Sequence, residues 1–211
     1  MNTDYDAERH KMVEQQIARR GLHDPRLLAA FERVPRHLFV PVDERHLAYA
    51  DSALPIGLEQ TISQPYIVAL MTDLLCLVGD ERVLEVGTGT GYQAAILSLM
   101  AEEVHTIEFV PALAARAMGL LEEYPNVHCH VGDGSLGWLG AAPYDGVLVT
   151  ASAPKAPQPL LDQLKDGGRL VLPVGGEGYQ MLEIWTRRGE KYDRKSEIGV
   201  AFVLLRGEHG W

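Results

Sequence analysis

The sequence is short of cysteine, of basic charge and of long apolar runs, and each shortage excludes a class of protein. Cysteine occurs twice in 211 residues, at Cys76 and Cys129, too rarely for the disulfide framework of a small secreted fold. Both read as core or near-core thiols, Cys76 on a helix and Cys129 on a strand, with no bridge between them. Lysine and arginine total 19 against 29 acidic residues, a formal net charge of −10. A protein that grips a phosphate backbone needs the opposite balance, so no nucleic-acid partner is expected. The densest basic run, Arg187, Arg188, Lys191, Arg194 and Lys195, is interleaved with Glu190 and Asp193 and reads as a solvated hairpin surface. The longest apolar stretch, residues 67–78, is broken by Thr72 and Asp73 and is too short to span a bilayer. Residues 1–10 are polar and lack the apolar segment of a signal peptide. A cytoplasmic protein without membrane contact is expected, and no feature demands more than a monomer.

What is present supports a packed α/β domain. Hydrophobic residues make up 46% of the chain, enough for a substantial core. The chain reads as one domain over 1–211, in three parts: a helical extension over 1–80, a β/α core over 81–175 and a β-hairpin region over 176–211. In the extension, Met12, Val13, Gln16 and Ile17 suggest a helix stopped by Gly21. Asp24 then caps a second helix that has Pro25 at its first position. Residues 35–60, with three prolines and Gly57, read mostly as loop. Ile67, Leu70, Met71, Leu74, Leu75 and Val78 recur at helical spacing, opened by Pro65 and closed by Gly79.

From Arg82 the pattern alternates strand and helix: strands at 83–86, 104–107, 127–131, 146–149 and 169–172, with helices at 92–100, after 111 and at 160–164. That alternation predicts a Rossmann-like, doubly wound, mostly parallel sheet. Residues 181–186 and 199–205 then read as two antiparallel strands joined by a polar turn.

Glu85-Val86-Gly87-Thr88-Gly89-Thr90-Gly91 lies where the first core strand turns into its helix. Glycines here relieve a turn of positive φ and leave room for the backbone to approach a ligand, and ligands of open α/β sheets sit at these carboxyl ends. Two cofactors compete. Gly89, Gly91 and Ala94 satisfy a dinucleotide fingerprint and would make the chain an NAD-dependent oxidoreductase. That reading leaves Glu85 and Gly87 unexplained, whereas both match motif I of the S-adenosylmethionine enzymes. Glu108 ends the next strand, where a carboxylate can accept from ribose hydroxyls with either cofactor. Asp133 and Gly134 end the third, placed for an adenine amine and a flat base. His128 and His130 flank Cys129 on one strand, but with no carboxylate nearby in sequence no metal site is expected.

Outside motif I, Leu54-Pro55-Ile56-Gly57 and Gln60-Thr61-Ile62-Ser63-Gln64-Pro65 are similar to the segment before the core in the protein-L-isoaspartate O-methyltransferases. Gly132-Asp133-Gly134, Gly137-Trp138 and Pro143-Tyr144-Asp145 resemble the family's signature around its third and fourth strands. Three departures stand out: Glu59 where glycine is usual, Val147 for isoleucine, and Leu204 where proline is usual. The resemblance implies methyl transfer from S-adenosylmethionine to the free α-carboxylate of isoaspartyl residues in damaged proteins and peptides, leaving S-adenosylhomocysteine. It implies Ser63 as the donor that orients the carboxylate, and Thr61, Ile62, Glu85, Gly87, Thr88, Gly89, Gly91, Glu108, Asp133 and Gly134 around the cofactor. Ser63 could instead only cap the helix opened at Pro65. Glu59 adds negative charge where an anionic substrate is expected, which leaves a retargeted or non-catalytic relative as a further reading.

Overall fold

The computed structural model describes residues 4–211; the first three residues of the polar start lie outside it. The chain opens with helix α1 (Tyr5–Met12), continued by a π turn over Val13–Ile17 and a 3-10 turn over Ala18–Arg20. Gly21, at φ +96°, ends this run as expected. Helix α2 (Pro25–Arg33) starts on the Asp24 side chain, which accepts from the Arg26 N–H. Leu27, Ala30 and Phe31 are its buried face.

The stretch expected to be loop holds a small hairpin, β1 (Leu54–Gly57) with β2 (Gln60–Ile62), paired antiparallel. Strands this short, one carrying Pro55 and both next to glycine or a turn, give no readable alternation. Helix α3 (Pro65–Leu74) opens at Pro65 but stops before the expected Gly79. Cys76 takes a left-handed φ of +55°, so the chain leaves the helix axis and Val78 is exposed rather than in the core. The apolar run Cys76-Leu77-Val78 mimics a further turn, but only Leu77 is buried, and Arg26 donates to its carbonyl. Cys76 is accordingly exposed, not a core thiol, while Cys129 is half-buried.

The main sheet has seven strands: β3 (Arg82–Val86), β4 (Glu103–Glu108), β5 (Val127–Val131), β6 (Tyr144–Val149), β7 (Leu164–Val174), β8 (Gln180–Arg188) and β9 (Lys191–Val200), in the order β5-β4-β3-β6-β7-β8-β9. The first five run parallel and the last two antiparallel. Helices α4 (Tyr92–Ser98), α5 (Pro111–Leu121) and α6 (Gln158–Asp162) connect the parallel strands. The expected doubly wound architecture is present, with two buried clusters. One gathers α1–α5 and holds Phe31, Met71 and Ile96; the other holds Leu84, Tyr144, Val147, Leu160 and Leu170. From Gly146 to Val149, β6 is buried throughout, as a strand covered on both faces must be.

The tail corrects the expected second strand at 199–205. Pairing instead runs from Arg188↔Lys191 back to Gln180↔Val200, so the basic run lies in the hairpin strands themselves. An outer strand exposes one unpaired edge, and a charged edge tolerates water and repels other strands. Beyond β9 the chain touches the core once more, through Ser152↔Leu204. That bridge uses the Val203 carbonyl and the Leu205 N–H. The family's usual proline at 204 would lose no bond of this bridge.

Candidate active site

Strand order reverses at β3, which lies between β4 and β6. A crevice must open where successive crossovers leave to opposite sides, and a cleft of about 890 Å³ lies there. Its wall comes from distant parts of the chain: 60–63 of the β1–β2 hairpin and its exit, 85–90 of the glycine turn, 107–110 after β4, and 203–206 of the tail.

The turn is built as the composition requires. Gly87, Gly89 and Gly91 have φ of +97°, +54° and +89°, a region in which a side chain is strained. Their surroundings differ. A β-carbon on Gly87 would collide with the Thr150 hydroxyl, and one on Gly91 would lie 3.0 Å from Leu121. A β-carbon on Gly89 would meet nothing closer than Ile56 at 3.9 Å. Packing therefore explains two of the three glycines; Gly89 alone faces open space. Gly134 is also held by packing, since a β-carbon there would lie 2.6 Å from Val86.

Two carboxylates face the cleft. Glu108 is buried, and each of its oxygens accepts a backbone N–H, from Gly89 at 2.8 Å and from Val110 at 2.9 Å. An acid so fixed cannot be an idle surface residue at the start of a helix. Glu85 is fully buried and accepts from Thr106 at 2.6 Å; Thr106 in turn lies 2.6 Å from the Thr88 hydroxyl. Burial raises the Glu85 carboxyl to about 8, and the Glu108 charge adds to the rise. Its Oε1 has no hydrogen-bond partner. A buried acceptor without a partner, close to the Glu108 carboxylate, suits a ligand that brings a positive charge and donor groups.

Thr61, Ile62 and Ser63 all line the cleft. Thr61 and Ser63 also line a second groove with Asp51, Ile67, Tyr179 and Phe202, so the segment is a partition between two cavities. Capping does not explain Ser63: Gln64 is the N-cap of α3 and makes no side-chain cap bond. What holds the partition is a residue without a sequence signature. Arg36 is fully buried, donating to the Ala48 carbonyl at 2.8 Å and the Ser63 carbonyl at 2.7 Å beneath the Tyr92 ring. Burial lowers its guanidinium to about 10.

Two expected residues stand apart from the cleft surface. Gly91 packs on Leu121. Asp133 turns its carboxylate to Ser135 and to the Glu208 N–H; these bonds outweigh its partial burial and hold its pKa below the usual range. It ties the tail to the sheet, while Gly134 reaches the lining. Thr150, Gln93 and Arg206 also line the cleft and were not legible in the sequence. Arg206 pairs at 3.7 Å with Glu59. His128 and His130 lie elsewhere, and the missing carboxylate of that group is supplied across the sheet by Glu103.

A sequence model described as Protein-L-isoaspartate(D-aspartate) O-methyltransferase (PCMT) matches residues 7–210. The chain is similar to a protein of Methanoregula boonei named protein-L-isoaspartate O-methyltransferase, at 54% identity over 206 residues, covering 97% of this chain and 95% of that one. Among solved structures, a protein-L-isoaspartate O-methyltransferase superposes with a TM-score of 0.86 at 28% identity, covering 96% of this chain and 67% of that chain. A Plasmodium falciparum protein solved in complex with S-adenosyl-L-homocysteine shares the fold, with a TM-score of 0.82 at 22% identity, covering 94% and 98% of the two chains.

Proposed function

This chain belongs to the protein-L-isoaspartate(D-aspartate) O-methyltransferase family, and on that premise we propose that it methylates the free α-carboxylate of L-isoaspartyl residues in damaged proteins and peptides, with S-adenosylmethionine as donor. The observation that carries the reading is the shared wall: Thr61 and Ser63 line both the cleft at the strand ends and the groove beside it. A donor held in the cleft and a peptide held in the groove would meet across these hydroxyls. Family membership sets aside the nicotinamide alternative.

The residues present fit the cofactor. Unpartnered Glu85 Oε1 and the fixed Glu108 carboxylate complement a positively charged nucleoside with ribose hydroxyls. Bound S-adenosylmethionine supplies an electrophilic methyl group and leaves as S-adenosylhomocysteine. Glu108 would accept from the ribose, with Gly87, Thr88 and Gly89 as the floor of the site. Thr61 and Ile62 would close over it and Gly134 would flank the base. Gly91 and Asp133 act behind this surface, shaping the turn and anchoring the tail.

The acceptor needs no general base, because a carboxyl with a pKa of about 4 is already ionised at neutral pH. What the protein must supply is alignment of the attacking oxygen and exclusion of water. Ser63 would donate to one carboxylate oxygen, and Arg36 fixes the backbone that carries it. We read the chain as one methyltransferase domain whose cleft is complete in a single copy, acting as a monomer in the cytoplasm. No described helix is long and apolar enough to cross a membrane, and both cysteines are unpaired.

Methyl incorporation from labelled S-adenosylmethionine into an isoaspartyl peptide, set against its normal aspartyl isomer, tests the reading. Incorporation into the first alone is expected. Losing a hydrogen bond to a charged group costs about 1.5–3 kcal/mol, so Ser63→Ala should lower kcat/KM by roughly 10- to 100-fold with S-adenosylhomocysteine affinity unchanged. Equal methylation of both isomers, or none by folded protein, would refute the assignment.

A further inference from the structure

Far from the cleft, at the opposite ends of β4 and β5, three titratable side chains converge that methyl transfer does not use. Glu103 and His105 alternate onto one face of β4, and His128 is the direct neighbour of His105 on parallel β5. Glu103 Oε1 lies 3.2 Å from His105 Nε2 and 3.5 Å from His128 Nε2, and the three ligand atoms all lie within 4.8 Å of one another. Tetrahedral zinc, with bonds of 2.0–2.1 Å, holds neighbouring ligand atoms about 3.3 Å apart. Two of the three separations already have that value.

The surroundings are those of an oriented ligand set. His105 is buried, and its Nε2 faces the Glu103 carboxylate at 3.2 Å. Its other nitrogen, Nδ1, lies 3.0 Å from His130 Nε2, and the His130 ring stacks on Trp138 at 3.9 Å. That contact at the far nitrogen holds the ring in place, and with Nδ1 donating to His130 the lone pair is on Nε2, as in metal-binding imidazoles. Arg82 grips Glu103 Oε2 at 2.5 Å, which leaves Oε1 free. The outer side is open, because the His128 side chain is 46% exposed and Glu103 30%. A cation can therefore enter, and water can complete its coordination.

We propose that Glu103, His105 and His128 form a binding site for a divalent transition-metal cation of the zinc class, clamping β4 to β5 at the edge of the sheet. Two imidazoles and one carboxylate on rigid strands suit zinc and disfavour calcium or magnesium, which prefer oxygen ligands. Glu103 and Glu108 are five residues apart, about 16 Å along an extended strand. The cation is thus separate from the methyl-transfer cleft, and its effect is on the stability of the sheet edge.

The experiment is titration of the metal-stripped full chain with Zn²⁺ alone, against a chromophoric chelator, with the thermal midpoint followed in parallel. One saturable equivalent and a midpoint that rises until that equivalent is filled are expected. His128→Ala, at an exposed position, and Glu103→Gln, which keeps the shape of the side chain, should each weaken binding at least tenfold while circular dichroism confirms the fold. Co²⁺ in place of Zn²⁺ should give the visible spectrum of a tetrahedral nitrogen–oxygen site. A thiolate charge-transfer band would assign the cation to Cys76 or Cys129 and overturn the proposal. So would the absence of a saturable equivalent, or undiminished binding in both folded variants.

Discussion

Glu85 shows how one side chain can be held at a cost that its ligand relieves. Its carboxyl is fully buried and has a folded pKa of about 8 against an ordinary 4.5. A carboxyl raised in this way costs nothing below its unfolded pKa, where both states hold the proton. As pH climbs from 4.5 to about 8, the unfolded state ionises freely while the folded state resists, so stability falls. The penalty approaches about 5 kcal/mol above that window. Glu85→Gln removes the titration, and urea denaturation of the ligand-free protein should show its stability gaining on the parent by several kcal/mol between pH 5 and 8. A constant difference across that range would mean that Glu85 is not buried as an acid. Glu59 is a second residue under load. It stands at φ +60° where a β-carbon is strained, and it pairs with Arg206 on the cleft rim. Glu59→Gly should raise stability by about 1 kcal/mol and lower KM for an isoaspartyl peptide a fewfold with kcat unchanged. An increase in KM would instead make Glu59 a contact for the peptide.

Among the elements, the partition 60–64 has only the three-residue strand β2 as structure of its own and depends on support from outside it. Its carbonyl at Ser63 is held by Arg36, a charge that burial has already lowered to about 10. Arg36→Met keeps much of the volume but releases the Ala48 and Ser63 carbonyls. It should cost about 3 kcal/mol of stability and reduce kcat at least tenfold, while S-adenosylhomocysteine affinity, set largely by Glu108 and the glycine turn, changes little. Isothermal titration and steady-state kinetics on the same preparation separate the two effects; equal losses in both would mean that Arg36 supports the whole fold and not the partition. This contrast also explains what was legible in the sequence. The parallel strands, the glycine turn and Glu108 announce themselves because buried strands and positive-φ turns impose composition locally. The β1–β2 hairpin, the early end of α3 and the true span of β9 depend on pairing and on left-handed residues other than glycine, Leu58 and Glu59 in the hairpin turn and Cys76 after α3, which carry no local pattern. Arg36, Thr150 and Arg206 reach the site from far along the chain. So does the neighbourhood of Glu103 and His128, which only the register of β4 against β5 creates.

For the molecule as a whole, the wall of the cleft joins parts of the chain that share no element: the hairpin segment, the turn after β3, the end of β4 and the returning tail. The tail is tied to the sheet by the Asp133 carboxylate through the Glu208 N–H, and to the core at Ser152. A ligand that touches all four parts binds only the folded chain, so its affinity adds directly to global stability. At 100 times its Kd a ligand contributes about 2.7 kcal/mol, and a domain of this size gains about 2–4 °C per kcal/mol. S-adenosylhomocysteine should therefore raise the melting midpoint by about 5–10 °C at that concentration, and NAD should leave it in place. Asp133→Ala loosens the tail without touching the lining directly. If the tail closes the cleft, the variant should keep most of its own midpoint yet lose at least half of the shift produced by S-adenosylhomocysteine. An undiminished shift would show that the hairpin segment and the strand ends bind the nucleoside without the tail.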